Sequence, residues 1–162
     1  MATIDKRIGT GTGTLGQSDR PGTHLFQRTL TFTAAGDGVV GAADIIELFT
    51  VPKHTLIHCV TLESLIQEGG DATAKIGLHK DDSAASAIDI DGFFVAVDLD
   101  GTAGDSFCSM PGTLSADSTP LRVPVYSQGY YNDDSEVKVI TMTSNHALDT
   151  ASIKVSVLMT QF

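Results

Sequence analysis

The chain has no tryptophan, and only 10 of its 162 residues are lysine or arginine. A nucleic-acid backbone is neutralised by such cations. Here 20 acidic residues stand against 10 basic ones, for a net charge of −10. No direct nucleic-acid partner is expected, and no attraction to an anionic membrane surface. The acidity reads either as solubility alone or as an outer face turned to solvent while a small patch meets a partner. Cysteine is equally scarce, with Cys59 and Cys108 alone. Two free thiols suit a chain assembled in a cytoplasm, and the sequence leaves a disulfide between them open. No apolar run reaches 18 residues and the N-terminus has no apolar h-region, so neither a membrane span nor a signal peptide is expected. The usual residues of helical surfaces are few, whereas Thr, Ser, Val, Ala and 16 glycines are plentiful. That balance favours strands and turns.

What is present fits one domain with a self-sufficient core. A chain of this length buries roughly 70% of the surface it exposes when unfolded, and 41% of its residues are apolar. The densest apolar stretch is Ala43–Leu78. It reads as strand Ile45–Val51, a Pro52-Lys53-His54 turn, strand Thr55–Leu65, a Gly69-Gly70-Asp71 turn, and strand Ala72–His79. The first of these is apolar on both faces, which places it centrally or under a second layer. The second is ambiguous. As a strand it presents Leu56, Val60 and Leu62 on one face; as a helix it would present Cys59, Leu62 and Ile66. Flanking turns and the preceding proline favour the strand.

Around this stretch the pattern repeats. Leu25–Thr33 alternates, as do Phe93–Leu99, Leu121–Val125, Val137–Val139 and Ile153–Met159. Pro124 removes a backbone donor, so Leu121–Val125 is expected at an edge. Lys80–Ile90 and Gln128–Asp134 read as loops, and Gly101–Pro120 as a long weakly structured segment. Met1–Thr23 is Gly/Thr-rich without apolar periodicity and reads as an extended, flexible arm. Its Gly9–Gly13 run lacks the Lys-Ser/Thr pair and following helix of a phosphate-binding loop. The expectation is an arm over residues 1–23, then a single all-β domain over 24–162. Eight strands without a helix suit a β-sandwich, with an eight-stranded jelly roll preferred.

Candidate chemistry is thin. Asp89-Ile90-Asp91-Gly92 and Asp98-Leu99-Asp100-Gly101 could ligate calcium, or could simply end strands with turn residues. If the intervening seven or so residues are extended, about 23 Å separates the two units, too far for one shared ion. The histidines His24, His54, His58, His79 and His146 lack zinc-site spacing; His58 reads as a hydrogen-bonded core or interface residue. Adjacent His58 and Cys59 point to opposite faces of a strand, so they do not pair as base and nucleophile. Tyr126, Tyr130 and Tyr131 could bind a sugar or a partner protein, or pack beneath their loop. No catalytic constellation is visible, and neither an enzyme, a metal nor a cofactor is expected.

The runs Ala43–Ser64, Gly69–Leu78 and Asp91–Leu99 resemble structural proteins of tailed-bacteriophage virions. An acidic-apolar strand leads through a short Pro-containing turn into a longer strand. A Gly-rich turn, a small-residue strand and an Asp-Gly-Phe segment follow. The likeness is greatest to capsid decoration (cement) proteins and covers about Ala43 to Asp100. It implies a homotrimeric sandwich, made in the host cytoplasm, that sits on the capsid surface and clamps major capsid proteins together by binding alone. An alternative is a head-fibre, spike or tail-tip domain that binds a host surface sugar or protein. Residues proposed to touch the capsid or another subunit are Arg7, Ile8, Leu15 and Arg20 in the arm, and Pro52, His54, Tyr130 and Tyr131 at loop tips.

Overall fold

The computed structural model describes residues 3–5, 24–37, 40–82, 84–100, 106–108, 129–132 and 136–162. Its elements in chain order are β1 (Thr3–Asp5), β2 (His24–Thr33), a single helical turn α1 (Ala34–Asp37), β3 (Ile45–Val51) and β4 (Thr55–Ile66). Then come β5 (Thr73–Lys80), β6 (Ala87–Asp98), β7 (Ser106–Cys108), β8 (Tyr130–Asn132), β9 (Lys138–Ser144) and β10 (Ser152–Gln161). One sheet runs β1-β3-β9-β5-β6; the other runs β2-β10-β4-β7, with β8 also pairing β4. All pairs are antiparallel except β1 with β3. Both sheets supply the core: Ile46, Phe49, Ile76, Phe93, Ile140 and Met142 from the first, Phe32, Leu62, Ile153 and Val155 from the second. This is the expected all-β sandwich, compatible with a jelly roll.

β3 is buried at six of its seven positions and intermediate at Thr50, as its two-sided apolar sequence requires. β4 is a strand, but its face assignment needs correction. Ile57 and Cys59 are buried, and then Val60, Leu62 and Ser64. The parity switches because Leu158 pairs Cys59 while Met159 pairs Ile57, leaving His58 as the extra residue of a bulge. Leu56 therefore does not share a face with Val60 and Leu62. An unbroken period of two cannot anticipate this.

Other boundaries also moved. The expected loop over Lys80–Ile90 is shorter, because β6 begins at Ala87. Ser106–Cys108 and Tyr130–Asn132 lie in expected loops yet pair with β4. Thr3–Asp5 pairs with Ile45–Glu47, so that part of the expected arm is a sheet strand. The expected strand Leu121–Val125, with Pro124, lies outside the described residues.

Gly77 explains how β6 crosses β5. One residue, Gly77, separates Ile76 from Leu78, whereas four, Ile90 to Phe93, separate their partners Asp89 and Phe94. A Cβ on Gly77 would sit 2.0 Å from the Asp89 carbonyl oxygen, so no side chain fits beneath the bulge. On the other side of β5, buried His79 shares a 2.6 Å hydrogen bond through Nδ1 with the Thr141 hydroxyl. Burial lowers the imidazole pKa, partly opposed by the charge of Asp82.

Candidate functional site

Four of the proposed contact residues converge at one end of the sandwich. The β3–β4 turn supplies Pro52 and His54, and β8 supplies Tyr130 and Tyr131. They meet because β8 runs antiparallel to the start of β4, with Thr55 opposite Asn132 and Ile57 opposite Tyr130. Gly129 permits that approach. It has φ +99°, and a Cβ there would lie 2.8 Å from the Ile57 carbonyl oxygen.

Asn132 ties the turn to β8. Its fully buried side-chain Nδ2 donates to the carbonyls of Pro52 at 3.0 Å and Glu136 at 3.1 Å, with a longer 3.5 Å approach to Val51. Its backbone carbonyl accepts the His54 N–H at 2.9 Å. These bonds hold His54 at φ +53°, a left-handed conformation unusual for a side-chain-bearing residue. The His54 carbonyl in turn accepts the Phe162 N–H at 3.0 Å. Three separate stretches of chain thus form one hydrogen-bonded tip.

The two tyrosines behave differently. Tyr130 is half-buried against the core, and its hydroxyl accepts a 2.6 Å hydrogen bond from the buried Lys138 ammonium. The ammonium also lies 5.3 Å from the ring centroid. A direct bond to the hydroxyl places it at the ring's oxygen end, so the hydroxyl carries this contact and the π-face does not. Tyr131 points outward at 45% exposure and meets Phe162, 60% exposed, edge to face at 6.0 Å. The tip thus presents two aromatic rings to solvent on a base fixed by Asn132 and Lys138.

Arg7, Ile8, Leu15 and Arg20 lie outside the described residues, as does Tyr126. The sequence reading missed Asn132, Lys138 and Phe162. The Tyr-Tyr-Asn succession is the only signal for the first, and the register of β8 on β4 is not visible in sequence. His58, expected to be hydrogen-bonded, shares a 2.7 Å bond through Nε2 with the Thr160 hydroxyl. Cys59 is buried.

The aspartate pairs form local turns. The Asp91 N–H approaches Asp89 Oδ1 at 3.4 Å, and the Asp100 N–H donates to Asp98 Oδ1 at 2.9 Å. Burial raises the Asp89 pKa, and hydrogen bonding with Asp98 raises that of Asp100. Among the described residues, no group of three or more His, Cys, Asp or Glu side chains is placed to hold a metal ion.

The opposite end of β4 carries an inward carboxylate. Glu68, 4% exposed, accepts the backbone N–H groups of Asp149, Thr150 and Ala151 at 2.9–3.1 Å on Oε2, and the Thr150 hydroxyl at 2.9 Å on Oε1. Burial would raise its pKa, but these donors outweigh burial and hold it at about 2. The hydrogen bond and charge of Glu68 raise the pKa of Asp149. Both Glu68 carboxylate oxygens are occupied by the protein itself, which marks this residue as a structural latch.

No family model matches the chain, and no curated protein matches it. Among solved structures, a chain from the capsid of Ralstonia phage GP4 is similar over 99% of both chains, with a TM-score of 0.61 and 14% identity. A chain from the capsid asymmetric unit of cyanophage Pam1 is similar over 96% of this chain and 100% of that one, with a TM-score of 0.50 and 14% identity. The fold is therefore shared, end to end, with chains that stand in phage capsids.

Proposed function

We propose that the protein is a structural component of a tailed-phage virion that binds the outer capsid surface and holds neighbouring major capsid proteins together. The observation that carries this reading is the whole-length likeness to a chain of the Ralstonia phage GP4 capsid, covering 99% of both. In this reading Pro52, His54, Tyr130 and Tyr131 form one contact surface, joined by Phe162, while Arg7, Ile8, Leu15 and Arg20 add contacts from the N-terminal segment. Aromatic rings on a rigid base give contact area at low entropic cost. Repetition over a shell turns weak single contacts into strong retention. A homotrimer is part of the proposal.

The test is a protein inventory of purified virions together with rebinding of the purified chain to shells stripped of it. Hundreds of copies per particle and saturable rebinding are expected. Tens of copies or fewer would favour a fibre or tail-tip role, and a chain missing from particles would end the virion reading. Sedimentation of the purified chain tests the trimer.

A further inference from the structure

The two sheets end in strands that are protected to different degrees. A free sheet edge is a template for another strand, and proteins blunt it by covering, bulging, shortening or charging it. β3 is partly covered by β1. β6 breaks register with β5 at three places and carries Asp89 and Asp91. β7 is three residues long. Among the described residues, β2 has only one of these devices, the charge of Arg28. Its ten residues pair with β10 in unbroken register, and among the described residues no strand lies on its other side. It contains no proline and no acidic residue. Gln27, Thr29 and Thr31 are exposed, and Leu25 is 65% exposed.

We propose that β2 is a self-association edge, pairing antiparallel with β2 of a second copy about a two-fold axis at Thr29. The register follows from the sequence. A two-fold axis perpendicular to the joined sheet keeps like faces together, so it must pass through a residue position. Axes at Arg28 and at Thr29 each overlap nine of the ten residues, more than any other. The Arg28 axis sets two guanidinium groups directly opposite each other, which is destabilising. The Thr29 axis sets Thr29 against Thr29, Gln27 against Thr31, Leu25 against Thr33 and Arg28 against Leu30, with no like charges opposed. Threonine pairs across strands are favourable.

Strand pairing alone covers less than the roughly 1,200 Å² of a stable interface. It is therefore weak in dilute solution and strengthened where copies are held close together. A three-fold assembly has no two-fold axis between its own copies, so this pairing joins copies of different trimers. It rests on edge geometry and does not depend on the surface the protein binds.

The test is oxidative cross-linking of the full chain at high protein concentration. Thr29→Cys faces itself across the axis, whereas Thr31→Cys faces Gln27 and exposed Ala87→Cys lies in β6 of the other sheet. The parent chain, with Cys59 and Cys108, sets the background. Thr29→Cys is expected to form covalent dimers about tenfold faster than either other variant, reflecting its local concentration at the axis. Equal rates at the three positions, or dimers at none, would overturn the proposal. A charge pair gives a second reading that needs no cysteine. Thr29→Lys and Thr29→Glu should each lose concentration-dependent association and recover it when mixed. A mixture that sediments like either variant alone also overturns it.

Discussion

Beyond Ile66, at one end of β4, a carboxylate turns inward and is fully engaged; before Thr55, at the other end, two aromatic rings turn outward. Both ends are pinned by one buried polar side chain, Glu68 or Asn132, that bonds to the backbone of distant segments. They differ in what is left over. At the Glu68 end, Asn145 adds a further clasp: its Oδ1 accepts the Thr73 N–H at 2.6 Å and its Nδ2 donates to the Asp71 carbonyl at 3.0 Å. The Glu68 and Asn145 side chains there are consumed by folding. At the tip, the same kind of anchoring holds apolar surface out of the core, where it contributes little to the fold. Surface held rigid yet unused internally is what a contact site requires.

If that contrast is right, the two ends should respond unequally to mutation. The largest effect is expected from Glu68→Ala. It removes the acceptor of three backbone N–H groups, one of them at the fully buried Ala151. The loss should be about 3 kcal/mol by urea unfolding, the scale for removing a charged partner from buried donors. Binding to capsid shells by the surviving folded fraction should be unchanged.

Acid sharpens the same point. The Glu68 pKa is held at about 2, against an ordinary 4.5. Its contribution is therefore complete above pH 4.5 and is lost as pH falls toward 2. The opposite shift of Asp149 takes back part of it. The measurement is unfolding free energy between pH 6 and pH 2 for the parent and for Glu68→Gln, whose curve should be flatter below pH 4.5. His79 acts in a higher window. Its folded pKa is lowered from 6.5, so the unfolded chain takes up the proton first and stability begins to fall below that pH. Both chains should share that earlier decline.

Asn132→Ala is expected to cost less, about 1–2 kcal/mol, because its bonds are uncharged and its Oδ1 has no partner to lose. Its distinguishing effect is local. The amides of His54 and Phe162, whose bonds join the turn, β8 and β10, should exchange with solvent faster, while the Ala151 amide at the far end should not.

The sequence made much of this legible where period and turn chemistry act alone. The strand at Ile45–Val51, the Pro52–His54 and Gly69–Asp71 turns, and the alternation of Ile153–Met159 follow from local pattern. The arrangement of the tip was legible only as a set of residues. Pro52, His54, Tyr130 and Tyr131 could be named as exposed turn and aromatic positions, but their convergence depends on β8 pairing with β4. That pairing is set by long-range register and by the Gly129 backbone. The bulge at His58 is similarly invisible, because nothing in a single strand's sequence announces an extra residue against its partner. Glu68 carries no signal in the sequence, since its donors lie more than 80 positions away.

The smallest effect on folding should come from the tip's rings, and it separates the two ends most cleanly. Tyr131 and Phe162 touch each other edge to face and are 45% and 60% exposed. Such a pair contributes about 0.5–1.5 kcal/mol when packed, and less where both rings remain hydrated. Tyr131→Ser combined with Phe162→Ser should therefore change unfolding free energy by under about 1 kcal/mol. Tyr130→Phe removes only the hydroxyl that accepts from Lys138; it tests the base of the tip and leaves the outer rings in place. If the tip is a contact surface, the double variant should lose shell binding at nearly full stability, while Tyr130→Phe should lose stability and keep binding. Retained binding in the double variant would move the contact away from this end of the sandwich, even with the virion role intact.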